Sequence, residues 1–156
     1  MIKPRIGGQP LHIILAHFPS ALFPMSVACS SLFYFSDNTW AGHAAFYNLM
    51  AGAGTAWLTI VFGLWESLLV PANKTKAIAS ILWHATFNGL ATILFSIWAS
   101  SAWHGYPQLV KDSATLLVFK WIAVAMLIIG NYFGGKLVVK HHIGITSSKP
   151  KDGSTY

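Results

Sequence analysis

Charge is what this sequence has least of. Lys, Arg, Asp and Glu together make up 9% of its 156 residues, against roughly 25% in an ordinary water-soluble domain. A surface that faces water needs far more, so something other than water covers most of this chain. Acid is the scarcer sign, with four Asp and Glu in all. That leaves almost no room for a two-carboxylate mechanism or a di-metal carboxylate site. Cysteine occurs once, as Cys29, which excludes an internal disulfide and any Cys-based metal finger. Its apolar neighbours make it an inert packing residue. A phosphate-binding glycine loop, a Gly-x-Ser-x-Gly elbow and a His-Glu-x-x-His pair are also missing. So are the alternating ten-residue strands of a membrane barrel.

What the chain has is apolar sequence, at 54%. Four runs are long enough to cross about 30 Å of hydrocarbon, which takes roughly 20 helical residues. They cover residues 11–35, 44–70, 77–103 and 114–139, separated by Ser36-Asp37-Asn38, Pro71-Ala72-Asn73-Lys74 and Gly105-Tyr106-Pro107. Unpaired backbone polar groups are too costly in lipid for anything but helices here. The expectation is an all-α, integral membrane four-helix bundle over residues 1–145, with a polar tail over 146–156. Lys3, Arg5 and the Ser26-Val27-Ala28-Cys29 box outline a secretory signal, but the apolar run continues to Phe35. That is too long for a cleaved signal, so an uncleaved first helix is expected. Pro19 and Pro24 predict either a helix that bends twice or a separate short segment before Phe18.

The net charge of +6 comes from basic residues that flank apolar runs, which is a topology signal and not a nucleic-acid surface. Eight of the ten (Lys3, Arg5, Lys74, Lys76, Lys136, Lys140, Lys149 and Lys151) fall on the side of the termini, and only Lys111 and Lys120 on the other. The positive-inside rule then places both termini in the cytoplasm, the chain lying in the cell's inner (cytoplasmic) membrane. Trp40, Trp103 and Tyr106 suit the outer interface. The pairs Gly52/Ala56, Ala85/Gly89 and Gly130/Gly134 are small residues four apart, suited to close helix packing.

Ionisable residues in a span are costly and mark function by default. They are His12, His17, Glu66, His84 and Lys120. Lys120, about two turns into the fourth span, is expected to snorkel outward as a structural residue. His17, Glu66 and His84 come from three helices yet share a depth within roughly 10 Å of the termini-side interface. His12, His141 and His142 lie at that same end, while His43 and His104 suit the outer interface. His84, Asn88 and Thr92 form one polar stripe, and Asn131, Gly134, Val138 and His141 another. Facing each other, they suggest a lined interior pocket.

Three chemistries fit. A b-type haem is held between His17 and His84, with His141 as substitute ligand and His12, Glu66, Asn88 and Asn131 beside it. Or imidazole and carboxylate hold a non-haem metal. Or Glu66 and the histidines form a metal-free proton or quinone site. Against all three stands a satisfied hydrogen-bonded network that only joins helices.

The stretches Leu11-His12…His17-Phe18-Pro19, Gly63-Leu64-Trp65-Glu66, Trp83-His84-Ala85 and Gly134-Gly135-Lys136-Leu137-Val138, leading to His141, together resemble a family of small bacterial four-helix membrane proteins. That family is catalogued as a domain of unknown function. The resemblance covers about residues 8 to 145. It departs at Ile13, where the family often has Pro, and in the order Trp65-Glu66. Some relatives are joined to Rieske-type iron–sulfur domains, so the resemblance implies membrane electron transfer. The leading expectation is a haem-binding electron-transfer subunit of a larger membrane redox complex, exchanging electrons with quinone or a protein partner. The alternatives are a cofactor-free structural subunit and a small transporter.

Overall fold

In a computed structural model, the described residues are 5–6, 9–70 and 75–141, without the side chains of Arg5, Thr75, Lys76 and His141. The tail at 146–156, the stretch 71–74 and His142 lie outside them. Two short strands, β1 (Arg5–Ile6) and β2 (Gln9–Pro10), pair antiparallel ahead of four helices. The helices are α1 (Leu11–Ser36), α2 (Thr39–Ser67), α3 (Thr75–Gly105) and α4 (Ala114–His141). All four are long and apolar enough to cross a membrane. Their 26 to 31 residues rise about 1.5 Å each, which exceeds a 30 Å hydrocarbon core and calls for tilt or protruding ends. The outward faces carry large apolar side chains, Phe35, Ile128 and Val139 among them.

The largest boundary shift is at α2, which begins five residues ahead of the predicted span at residue 44 and ends at Ser67. Asn38 explains the early start. Its side-chain oxygen accepts from the backbone N–H groups of Trp40 and Ala41 at 3.0 and 3.3 Å, satisfying donors that a helix start leaves unpaired. Asp37, at φ 57°, ends α1 in the left-handed region and donates its N–H to the Phe33 carbonyl. Aspartate is one of the few side chains that tolerate this conformation. The α1–α2 link is therefore two residues long. Pro19 and Pro24 both lie inside one helix, so the separate segment before Phe18 is not formed.

α1 packs chiefly on α2, and α3 on α4, with the two hairpins joined through a narrower seam. Phe23 of α1 and Phe95 of α3 stack across that seam, with ring centroids 4.1 Å apart and planes within 6°. Alanines 56, 91, 99 and 123 surround them, and small side chains let lipid-embedded helices approach where no hydrophobic drive exists. Gly52 lies against the Phe23 ring, where a Cβ would come within 2.8 Å. Ser26 donates to the Ala45 carbonyl at 2.9 Å, and the indoles of Trp57 and Trp121 reach Ser96 and Ser31. Of the three small-residue pairs, Ala85/Gly89 is not used within the chain: Ala85 is exposed, and a Cβ on Gly89 would meet nothing within 4 Å.

Candidate functional site

Glu66 sits one residue from the end of α2 and His12 one residue into α1, so pairing of these helices brings them together. Nδ1 of His12 lies 2.8 Å from Oε2 of Glu66, with the side chains 24% and 14% exposed. The approach is close but too oblique for a hydrogen bond. Nδ1 of His12 and Oε1 of Glu66 are both buried without a hydrogen-bond partner among the described residues. Gly63, one turn before Glu66, faces His12, whose Cβ and Cδ2 would lie 4.0 Å from a Cβ placed there, an ordinary contact distance. Trp65 points outward, so the Trp65-Glu66 order turns the carboxylate toward α1 and the indole away.

His84 lies nine residues into α3. Its ring rests against α4 at Gly134, where a Cβ would come within 2.8 Å of Cε1 and Nδ1. Nδ1 is 2.8 Å from the Gly130 carbonyl. A carbonyl only accepts, so Nδ1 carries a proton, which makes Nε2 the acceptor whenever the ring is neutral. The Asn88 amide nitrogen lies 3.1 Å from the same Nδ1, but its competent acceptor is the His84 backbone carbonyl at 3.0 Å. What the α3 stripe meets on α4 is therefore direct contact, with the imidazole filling the space between the helices. Asn131 is not part of it. It donates to Ser20 of α1 at 2.9 Å, because it is one position, about 100°, round the helix from Gly130.

His17 has different surroundings from His84. It is exposed, and its Nδ1 bonds the Ile13 carbonyl of its own helix at 2.7 Å. Five residues on a helix are about 140° of rotation, so α1 cannot turn both His12 and His17 toward α2. The residue at the α1–α2 contact is His12. The side chain of His141 lies outside the described residues. Among the described residues, no three of His, Cys, Asp or Glu gather closely enough to hold a metal ion, so the non-haem metal reading has no ligand set there.

A second ionic group lies at the other end of the bundle. Lys120 does reach outward, but it stops inside the protein. Its Nζ is 2.5 Å from Oδ2 of Asp112, with side chains 8% and 13% exposed, and 5.9 Å from the Trp98 ring centroid. Lys111 pairs with Asp37, donates to the Tyr34 carbonyl at 3.3 Å and lies over the Phe33 ring. A cation at the C-terminal carbonyls of α1 complements the helix dipole. Asp112 went unnoticed in the sequence. Its signal was the Lys111-Asp112 dipeptide just before α4, with Lys120 two turns further on. Every acidic side chain among the described residues thus has a basic partner.

A family model described as "Predicted membrane protein (DUF2231)" matches residues 8–147. No curated protein and no solved structure matches the chain.

Proposed function

The chain belongs to the DUF2231 family of predicted membrane proteins, and we propose that it handles protons at the group formed by His12, Glu66 and His84. The observation that carries this is the His12–Glu66 contact: 2.8 Å apart at the end of two membrane helices, with one nitrogen and one carboxylate oxygen left without hydrogen bonds. A purely structural pair at such cost is expected to satisfy its atoms. A pair that exchanges a proton has to leave a lone pair open. His84 supplies the next acceptor through Nε2 and is held in place by Gly130 and Gly134. A larger membrane complex, a bacterial inner-membrane location and cytoplasmic termini belong to the same reading, supported by the basic residues around this end.

The test is proton flux. The protein is reconstituted in liposomes that enclose a pH-sensitive dye, and a potassium diffusion potential drives protons inward. Flux is expected in the native chain and at background level in Glu66→Gln, which keeps the shape and removes the titratable group. Equal flux in both, or none in the native chain, sinks the reading.

A haem reading rests on a narrower observation. His17 and His84 both commit Nδ1 to a backbone carbonyl, the arrangement that frees Nε2 to ligate iron. The exposure of His17 speaks against a site closed within one chain. A reduced-minus-oxidised absorption spectrum decides it. A Soret shift with an alpha band, lost in His84→Ala, supports b-type haem and electron transfer; a flat spectrum ends it.

A further inference from the structure

At the end of the bundle away from His12 and Glu66, a cavity of about 260 Å³ lies between α1, α2, α3 and the segment leading into α4. The reading of the histidine end does not use it. Lys120 and Asp112 line it on the α4 side, Phe33, Phe46 and Trp98 form apolar walls, and the exposed Tyr106 stands at its rim. Tyr106 is held there by stacking on Phe46, centroids 4.3 Å apart, and by a 2.8 Å hydrogen bond with the Tyr47 hydroxyl. Lys111, pinned to Asp37 and to the Tyr34 carbonyl, fixes the neighbouring segment over α1.

The chemistry of the cavity is specific. An ammonium has three N–H donors, and among the described residues Lys120 directs one to a protein acceptor, Asp112. Two donors remain on a side chain 8% exposed, beside a cavity with aromatic walls. Asp112 already balances the charge, so an anion entering here would meet a carboxylate at close range. A neutral acceptor meets donors without that repulsion. An apolar cavity of about 150 Å³ accepts benzene, so this one has room for a single ring with substituents. In a membrane protein the ligand pool is the bilayer, whose neutral, ring-sized carbonyl compounds are quinones.

We propose that this cavity binds a quinone headgroup, with Lys120 donating to a ring carbonyl and Trp98 and Phe46 flanking the ring. The site lies at the opposite end from His12, Glu66 and His84 and depends on none of them.

Titration calorimetry of the detergent-solubilised protein tests this with a short-chain benzoquinone as probe, corrected for protein-free micelles. Saturable binding is expected, weakened at least about tenfold in Lys120→Met. Ala102→Leu, which fills the cavity and leaves the ion pair intact, should abolish it and guards against loss of folding in the lysine variant. Glu66→Gln should bind like the native chain, which separates this site from the proton reading. Absence of saturable binding, undiminished binding in Ala102→Leu, or equal affinity for benzoate would each overturn the proposal.

Discussion

The two ends of this bundle treat their charges in opposite ways. At the loop end, Lys120 and Asp112 meet through a 2.5 Å hydrogen bond with both side chains nearly buried, and Lys111 caps α1 while paired with Asp37. At the histidine end, His12 and Glu66 are in contact but misaligned, with atoms left unpartnered. The difference follows from what each group can do. An ammonium two turns into a membrane helix is costly without a counter-charge, which Asp112 supplies. Imidazole can shed its charge near neutrality, so the fold can leave that pair incomplete. On the proposed reading, the lysine end holds a charge and the histidine end changes one.

The hardest way to break this comparison is at Lys120. Lys120→Met removes the cation and leaves Asp112 charged, nearly buried and alone, which is expected to cost about 3–5 kcal/mol. Thermal unfolding in detergent reads it as a large fall in Tm. The double variant Lys120→Met/Asp112→Leu should recover most of the loss, since replacing a buried pair by apolar groups is often neutral. If the double variant is as unstable as the single one, the ion pair is not what holds the segment between α3 and α4.

A packing change at the histidine end comes next. Gly134→Leu drives a side chain into the His84 ring, where even a Cβ would lie 2.8 Å away, and overpacking of this kind costs about 1–3 kcal/mol. Gly89→Leu is the control on the same hairpin. A Cβ there meets nothing within 4 Å, so Tm should move by no more than about 0.5 kcal/mol equivalent. Equal losses at both positions would mean that Gly134 is not a contact point between α3 and α4.

The spans were legible because lipid imposes one rule on every residue of a helix, and apolar length alone reveals it. The turn at Asp37-Asn38 was legible as a break but not as a two-residue link, because capping depends on how Asn38 is oriented. The site was legible in composition and not in pairing. Sequence depth placed His17 with Glu66 and His84, yet rotation selects His12: the two histidines are about 140° apart on α1, and only the α1–α2 contact says which one faces inward. Asn131 and Gly130 repeat the lesson on α4, where adjacent residues serve α1 and α3 respectively. Lys120 was placed at the right depth and given the wrong destination, because its partner comes from a loop that carries no periodic signal.

The finest test of the comparison is Glu66→Gln read as stability instead of flux. If the His12–Glu66 contact were a structural pair like Lys120–Asp112, removing its charge would cost several kcal/mol. A misaligned contact with Oε1 already unpartnered has little hydrogen-bond energy to lose, and the amide keeps the shape and can still meet His12. The expected change is therefore about 1 kcal/mol or less, a small shift in Tm. Placed beside abolished proton flux, that shift would mark a group kept for its titration. A loss as large as that of Lys120→Met would instead make the two ends alike, with Glu66 as a structural anchor for α1.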